Sequence, residues 1–228
     1  MIAFILVDLD DTILDFKKQE EVAIRKTLAD AGVDPTEETC ARYSQINEDH
    51  WKRLERGELT RAQVLRGRFE VLFRELGVQV DAEKAAAAYM ENLSVGHYFL
   101  PGAKETVAEL SKKYKLYLAS NGTASVQQRR LESAGILPYF RDVFISQNIG
   151  ANKPAKAYFD YCFAHIPGFD REKTIIVGDS LSSDIQGGIA AGITTCWVNL
   201  HNKPANPDIC PDYTIESITQ LEALLENL

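Results

Sequence analysis

Short runs of apolar, β-branched residues recur along the chain and alternate with segments whose apolar residues have helical spacing. The short runs predict buried parallel strands, because strands that are covered on both faces are apolar throughout. These runs are IAFILVDLD (2–10), YKLYLASN (114–121), DVFIS (142–146), KTIIVGD (173–179) and TTCWVN (194–199).

Helical patterns separate these strands in the order that is typical of a doubly wound α/β sheet with right-handed crossovers. A further amphipathic helix is predicted for ESITQLEALLENL (216–228) at the end of the chain. The helical segments between strands are GAKETVAELSKKY (102–114), ASVQQRRLESAG (124–135), AKAYFDYCFAHI (155–166) and SSDIQGGIAAG (182–192).

Residues 17–94 break this rhythm, since none of them has the pattern of a buried strand. Apolar residues recur there at helical spacing, and Thr60 with Gln63 has the spacing of a capping box. An insert of this length is a small domain of its own. The sequence therefore predicts an α/β core made of residues 1–15 and 96–228, and an all-helical domain at 16–95.

Polar side chains follow three of the predicted strands. Asp8 and Asp10 lie at the end of the first strand, Ser120 and Asn121 end the second, and Asp179 ends KTIIVGD. Ligands of open α/β sheets bind beyond the carboxyl ends of the strands. We therefore expect these carboxylates, the hydroxyl and the amide at one edge of the sheet.

The acids of DLDD (8–11) are close enough to repel by about 4 kcal/mol per pair at 4 Å in a medium of dielectric constant 20. A hard cation such as Mg²⁺ would neutralise them and would also bring an anionic substrate to an anionic nucleophile. Asp8 is predicted to attack phosphorus, and Asp10 to act as general acid and then as base. Asp179 is predicted to bind the metal, and Asp184 to bind it or to orient a metal-bound water.

Phosphoryl oxygens require donors that are already in place. Lys153, just before Pro154 at a plausible first helical position, is the predicted cationic donor. The Ser120 hydroxyl and the Asn121 backbone N–H are the predicted neutral donors. A turn would bring the Thr12 hydroxyl to the same pocket.

The candidate residues at the strand ends, together with Lys153, form four short motifs. These motifs resemble those of the haloacid dehalogenase-like (HAD) phosphatases. The resemblance implies that the backbone carbonyl of Asp10 also contacts Mg²⁺ and that the insert is a type-one cap that selects the leaving group. Dehalogenases of the superfamily lack the acid at position 10, which favours ester hydrolysis here, whereas phosphomutases keep both acids. The matching residues are Asp8, Asp10 and Thr12 (D-x-D-x-T), Ser120, Lys153, and Gly178, Asp179 and Asp184 (G-D-x-x-x-x-D).

A closer resemblance covers almost the whole chain and rests on the spacing of four stretches: WKRLERGELTRAQVLRGRFE (51–70), LPGA (100–103), SNGTASVQQRRLESAG (120–135) and GDSLSSDIQGGIAAGITTCWVN (178–199). With them the chain is similar to YjjG-type pyrimidine 5′-nucleotidases, which implies dUMP, dTMP and UMP as substrates. Asn47, Trp51 and Arg68 are the substrate-binding residues that this resemblance suggests in the cap. Plainer readings stay open: Trp51 and Phe69 could belong to the cap core, and Arg68 could pair with a neighbouring glutamate.

The composition of the chain limits the classes of molecule that it could bind. The net charge of −8 and the pI near 5.1 argue against broad binding to nucleic acid polymers or anionic membranes. The four cysteines lack metal-site or redox spacing, and no apolar segment approaches the ~20 residues of a membrane span. We expect a cytoplasmic monomer or homodimer that acts on a small phosphate monoester.

Two alternatives stay open at this stage. Within the enzyme class, the chain could be a sugar-phosphate phosphatase or a phosphomutase. Outside it, receiver domains also combine a strand-end Asp, Mg²⁺ and a lysine on an α/β sheet. Receivers lack the D-x-D-x-T turn and a helical cap, which disfavours a signalling domain.

Overall fold

Six parallel strands form one sheet in the order β3-β2-β1-β4-β5-β6. The structure is a computed structural model that describes residues 1–228. The strands are β1 (Phe4–Val7), β2 (Lys115–Ser120), β3 (Asp142–Ile145), β4 (Thr174–Gly178), β5 (Thr194–Val198) and β6 (Tyr213–Ile215).

Ten α-helices accompany the sheet, and a π-helical turn (Leu181–Ile185) leads into the ninth. The helices are α1 (Phe16–Asp30), α2 (Glu37–Glu55), α3 (Arg61–Leu76), α4 (Ala82–Ser94), α5 (Ala103–Lys113), α6 (Ala124–Ala134), α7 (Ser146–Ile149), α8 (Lys156–His165), α9 (Gln186–Ala191) and α10 (Leu221–Leu225).

Strand β1 shows why the sheet is buried on both faces. Phe4 and Leu6 pack in a cluster with side chains of α8 and α9. Ile5 and Val7 point to the opposite face and pack with side chains of α5, α6 and α10. This alternation explains the uninterrupted apolar run and confirms the predicted doubly wound α/β fold.

The chain divides into two compact units, Met1–Asp15 with His97–Leu228, and Phe16–Gly96. The first unit contains the sheet, and the second contains only helices α1 to α4. In the helical unit, Tyr43, Phe69 and Tyr89 are fully buried, with ring centroids 5.1–5.7 Å apart. Phe69 is thus part of the core of that unit.

Local signals in the helical unit are confirmed by the structure. The Thr60 hydroxyl accepts from the Gln63 backbone N–H, and the Gln63 side chain accepts from the Thr60 N–H, so the predicted capping box is present. Helix α3 ends at Gly77, whose φ of 67° lies in the left-handed region that glycine favours.

Some details differ from the sequence prediction. The short strand β6 was not predicted, because three residues carry too little periodicity. The C-terminal α-helix covers only Leu221–Leu225, preceded by a 3₁₀ turn, rather than the whole of 216–228. Helix α8 begins at Lys156, so Pro154 lies in the turn before it and not at the first helical position.

None of the helices has both the length and the apolar character needed to cross a bilayer.

Candidate active site

The strand order reverses between β1 and β4, and the candidate site lies at their carboxyl ends. The chain builds β2 and β3 on one side of β1 and then returns to build β4, β5 and β6 on the other. Asp8 follows β1 and extends the ladder, since its N–H donates to the Val177 carbonyl at 2.9 Å. Asp179 follows β4. A reversal of this kind is where open α/β sheets bind ligands.

Three carboxylates meet at this point. One oxygen from each of Asp8, Asp179 and Asp184 lies within 4.8 Å of the other two. Asp184 comes from the π-helical turn after β4, and its Oδ2 accepts from the Ser180 backbone N–H at 3.2 Å. Gly178 permits this approach, because a Cβ at that position would overlap the Asp184 carboxylate.

Lys153 is the cation of this cluster. Its Nζ donates to Asp8 Oδ1 at 2.7 Å, to Asp184 Oδ1 at 2.6 Å and to the Ala119 carbonyl at 2.5 Å. The lysine is 1% exposed. All three ammonium hydrogens therefore have acceptors, and the lysine bridges the predicted nucleophile to a predicted metal ligand.

Burial is the main cause of the raised pKa values of Asp8 and Asp179 in this cluster. Burial raises the pKa of Asp8 well above its usual value, although Lys153 acts in the opposite direction. Burial, and next the charge of Asp184, raises the pKa of Asp179 to about 7. Burial lowers the pKa of Lys153, but Asp184 and Asp8 outweigh that effect and the net shift is upward. The cluster favours a further cation.

The loop after β1 folds back so that Thr12 faces inward. Asp11 adopts a left-handed φ of 55°, and its N–H donates to the Leu14 carbonyl at 2.7 Å. Thr12 is fully buried, and its hydroxyl has no hydrogen-bond partner within the protein. A buried hydroxyl without a partner is costly, which suits a group that binds a ligand oxygen.

Ser120 and Asn121 end β2 beside the cluster. The Ser120 hydroxyl accepts from the Gly122 N–H at 3.0 Å and from the Gln127 side chain at 2.8 Å, so its own proton can be donated elsewhere. The Asn121 side chain exchanges two hydrogen bonds with the Lys153 backbone, at 2.8 and 2.9 Å. Asn121 therefore fixes the loop that carries the lysine, a contact that the sequence did not indicate.

Two side chains of helix α6 bind the Asp10 carboxylate, which is separate from the cluster of Asp8, Asp179 and Asp184. Arg130 Nη1 donates to Asp10 Oδ1 at 2.5 Å, and Gln127 Nε2 donates to Asp10 Oδ2 at 2.6 Å. Neither helix residue was among the predicted site residues. The sequence feature that could have identified them is a pair of polar residues on the same face of α6 as Leu131 and Ala134.

Two other residues near Asp179 were also not predicted. The Trp197 indole N–H donates to the Asp179 carbonyl at 2.9 Å and fixes the backbone there. Lys203 Nζ, on the loop after β5, lies 3.4 Å from Asp179 Oδ2. Strand β5 and the loop after it thus contribute to this edge of the site.

The three predicted substrate residues of the insert lie within the helical unit. Arg68 and Asn47 are 1% and 3% exposed, and Arg68 Nη1 donates to Asn47 Oδ1 at 2.7 Å. Asn47 in turn donates to Glu20 at 2.5 Å. Trp51 is half-buried, and the Arg61 guanidinium lies 5.3 Å from its ring centroid. The structure brings Arg68 and Asn47 together and leaves Trp51 outside their network.

Comparison with known proteins identifies the family. The family model described as haloacid dehalogenase-like hydrolase matches residues 5–198, which include every strand-end residue described above. The chain belongs to this family. It is therefore a HAD-like hydrolase, and the fold and the four motifs agree with that assignment.

Individual HAD relatives match over nearly the full length. YfnB of Bacillus subtilis, a HAD-hydrolase by name, is 39% identical over 97% of this chain and 94% of its own. Its magnesium-bound crystal structure has a TM-score of 0.94 over 98% of each chain. The pyrimidine 5′-nucleotidase PynA of Streptococcus pneumoniae is 36% identical over 96% of this chain and 92% of its own. The pyrimidine 5′-nucleotidase YjjG of Escherichia coli is 33% identical over 97% of each chain.

The donor set of this HAD chain fits a magnesium ion. Asp8, Asp179 and Asp184 supply carboxylate oxygens, which are the ligands that hard cations prefer. Burial and repulsion from neighbouring acids raise the pKa values of Asp8 and Asp179, and a bound cation would oppose both effects. Asp10 is not part of this carboxylate group, so only its backbone carbonyl is left as the predicted ligand.

Proposed function

We propose that this HAD-like hydrolase is a Mg²⁺-dependent phosphatase that acts on pyrimidine nucleoside 5′-monophosphates through an aspartyl-phosphate on Asp8. One observation carries the proposal. At the reversal of the strand order, Asp8 lies with two further carboxylates and a buried lysine, while a separate acid, Asp10, is held two residues away.

The first step transfers the phosphoryl group to the protein. An oxygen of Asp8 forms a bond to phosphorus as the bond from phosphorus to the leaving oxygen breaks, and Asp10 gives its proton to that leaving oxygen. The Lys153 contact at 2.7 Å fixes the orientation of the Asp8 carboxylate for this attack.

The second step releases phosphate. Asp10 takes a proton from water, the water oxygen attacks phosphorus, and the bond from Asp8 to phosphorus breaks. This restores the Asp8 carboxylate and the Asp10 proton, so the cycle consumes only the ester and water.

Donors around the site would bind the phosphoryl oxygens. Thr12 offers a buried hydroxyl without a protein partner, and Ser120 offers the proton that it does not use. The Asn121 backbone N–H is the third neutral donor that the sequence predicts. Lys153 supplies positive charge. A magnesium ion held by Asp8, Asp179, the Asp10 carbonyl and, directly or through water, Asp184 would stabilise the charge that develops on these oxygens.

The substrate assignment rests on the relatives. PynA and YjjG are pyrimidine 5′-nucleotidases by name and align with this chain over nearly its full length. We propose that the helical unit selects the nucleoside through the predicted residues Asn47, Trp51 and Arg68. Trp51 keeps part of its surface exposed, whereas Arg68 and Asn47 would act by fixing the helices around it.

The test is phosphate release from a substrate panel, with Mg²⁺ and then with EDTA. The panel contains pyrimidine and purine 5′-monophosphates and small sugar phosphates. We expect Mg²⁺-dependent release with dUMP, dTMP and UMP as the best substrates. Preference for a sugar phosphate would overturn the nucleotidase assignment but keep the phosphatase.

A different result would point to the signalling alternative. If no ester is hydrolysed and acetyl phosphate leaves a phospho-Asp8 that persists for minutes, the chain would behave as a phosphorylated receiver and not as an enzyme.

A further inference from the structure

Helix α6 places a fully buried network behind Asp10. Arg130 is 0% exposed and Gln127 is 1% exposed. Arg130 Nη1 donates both to Asp10 Oδ1 at 2.5 Å and to Gln127 Oε1 at 2.9 Å. The Gln127 amide donates to Asp10 Oδ2 at 2.6 Å and to the Ser120 hydroxyl at 2.8 Å. The two helix residues thus hold both oxygens of one carboxylate.

Stability alone does not account for this arrangement. A fully buried arginine loses several kcal/mol of hydration, and apolar side chains of similar volume often fit such places equally well. Residues 127 and 130 face the same side of α6 as Leu131 and Ala134, which pack in the core. Two long polar side chains on that stripe point to a role in the chemistry of Asp10.

We propose that Gln127 and Arg130 are positioning residues that orient Asp10 for proton transfer to the leaving group. The inference rests on the proposed phosphatase function and adds to it two residues outside the four motifs. Because both oxygens accept hydrogen bonds, the Asp10 carboxylate cannot turn away from its place in the loop. The same donors stabilise the negative charge that Asp10 gains when its proton moves to the leaving oxygen.

The network also joins proton transfer to phosphate binding. Gln127 contacts Asp10 and Ser120 with one amide group, so the general acid and a predicted phosphate donor are fixed relative to each other. Gly122 belongs to this arrangement, because a Cβ there would overlap the Gln127 amide. Misplacement by about 1 Å in such a site can reduce a rate by two orders of magnitude.

The test compares two kinds of leaving group. An alkyl ester, such as a nucleoside 5′-monophosphate or propyl phosphate, needs a proton on the leaving oxygen, whereas p-nitrophenolate leaves without one. For Arg130→Met and Gln127→Met we expect kcat/KM to fall about 10- to 100-fold for the alkyl ester, and less than about 3-fold for p-nitrophenyl phosphate. A general loss of structure would reduce both values alike.

The neighbouring helix positions supply matched controls. Gln128 and Arg129 have the same side chains but are exposed. Gln128→Met and Arg129→Met should keep wild-type kcat/KM for both substrates. Circular dichroism of all four variants checks that the fold is kept. If Arg130→Met does not fold, Gln127→Met and Arg130→Lys carry the same comparison.

A double-mutant cycle decides whether the residues act through Asp10. In an Asp10→Asn background, Arg130→Met should cause no further loss on the alkyl ester. Equal losses on the two substrates, or full additivity with Asp10→Asn, would overturn this inference and leave the phosphatase proposal intact. A wild-type protein that hydrolyses neither ester would instead overturn the proposed function, and this inference with it.

Discussion

Each unit of this protein buries a network of charged side chains, and the two networks differ in their numbers of cations and carboxylates. In the helical unit, Arg68 reaches Glu20 through Asn47, and its guanidinium lies 4.6 Å from the Tyr89 ring centroid. The network therefore pairs one cation with one carboxylate. At the strand ends of the α/β unit, three carboxylates meet; two of them accept from Lys153, and the third lies 3.4 Å from Lys203.

This difference separates a structural network from a site that needs a ligand. The helical network satisfies its charges inside the unit, as buried ion pairs must. In the strand-end network, burial and then the charges of neighbouring acids raise the pKa values of Asp8 and Asp179. A divalent cation and a phosphoryl group would supply what it lacks.

Removal of the nucleophile should have the largest effect. Asp8→Asn keeps the shape of the side chain but cannot form an acyl phosphate, so we expect kcat to fall on the order of 10⁴-fold or more. Asp11→Asn is the matched control, because asparagine tolerates the left-handed φ of that position. It should retain most of the activity. An active Asp8→Asn enzyme would contradict the assignment.

When the buried cation of each network is removed, only the strand-end network should regain stability on addition of Mg²⁺. Lys153→Met and Arg68→Met each leave a buried carboxylate without its cation, so we expect each to lose about 3–5 kcal/mol of unfolding free energy without metal. Mg²⁺ should restore part of this loss for Lys153→Met, because it can replace the missing charge.

Arg68→Met should show no such recovery, since the helical network offers no carboxylate cluster. Urea unfolding with and without Mg²⁺ measures both variants. Equal recovery of the two would remove the distinction between the networks.

Magnesium affinity should depend on pH through Asp179. Its pKa of about 7 without metal means that at pH 6 only about one molecule in ten carries the ionised carboxylate. Affinity should therefore rise about tenfold from pH 6 to pH 8, since binding at low pH must first displace a proton. Isothermal titration calorimetry measures this, and Asp179→Asn should flatten the dependence. An equal affinity at both pH values would contradict the account.

A small change beside α6 should have the smallest effect. Gly122→Ala places a methyl group against the Gln127 amide, which must then shift away from Asp10. We expect a loss of about 3- to 10-fold in kcat/KM for an alkyl phosphate. In a Gln127→Ala background the same substitution should add nothing, because the obstructing side chain is gone. A loss that persists there would mean that Gly122 acts by another route.

The strand-end acids could be predicted from the sequence because they depend on local patterns. An apolar run ending in Asp8 or Asp179 predicts a strand and its end, and the rule for parallel sheets then brings the two ends together. The same reasoning found Ser120. It needed no knowledge of distant contacts.

The support of Asp10 could not be predicted in this way. Arg130 and Asp10 are 120 positions apart, and no periodicity of α6 states which loop its polar residues reach. Strand β6 was missed for a different reason, since three residues give too little alternation to distinguish a strand from a loop. Local patterns predict elements and their ends, whereas contacts between distant elements depend on packing.

The most direct test of the account is to trap the intermediate on Asp8. Acid quench during turnover, followed by borohydride reduction, converts an aspartyl-phosphate to homoserine, which peptide mass spectrometry locates. We expect homoserine at position 8, formed only when both Mg²⁺ and a hydrolysable phosphate ester are present. Steady phosphate release with no modification at Asp8, or with modification at another acid, would contradict it.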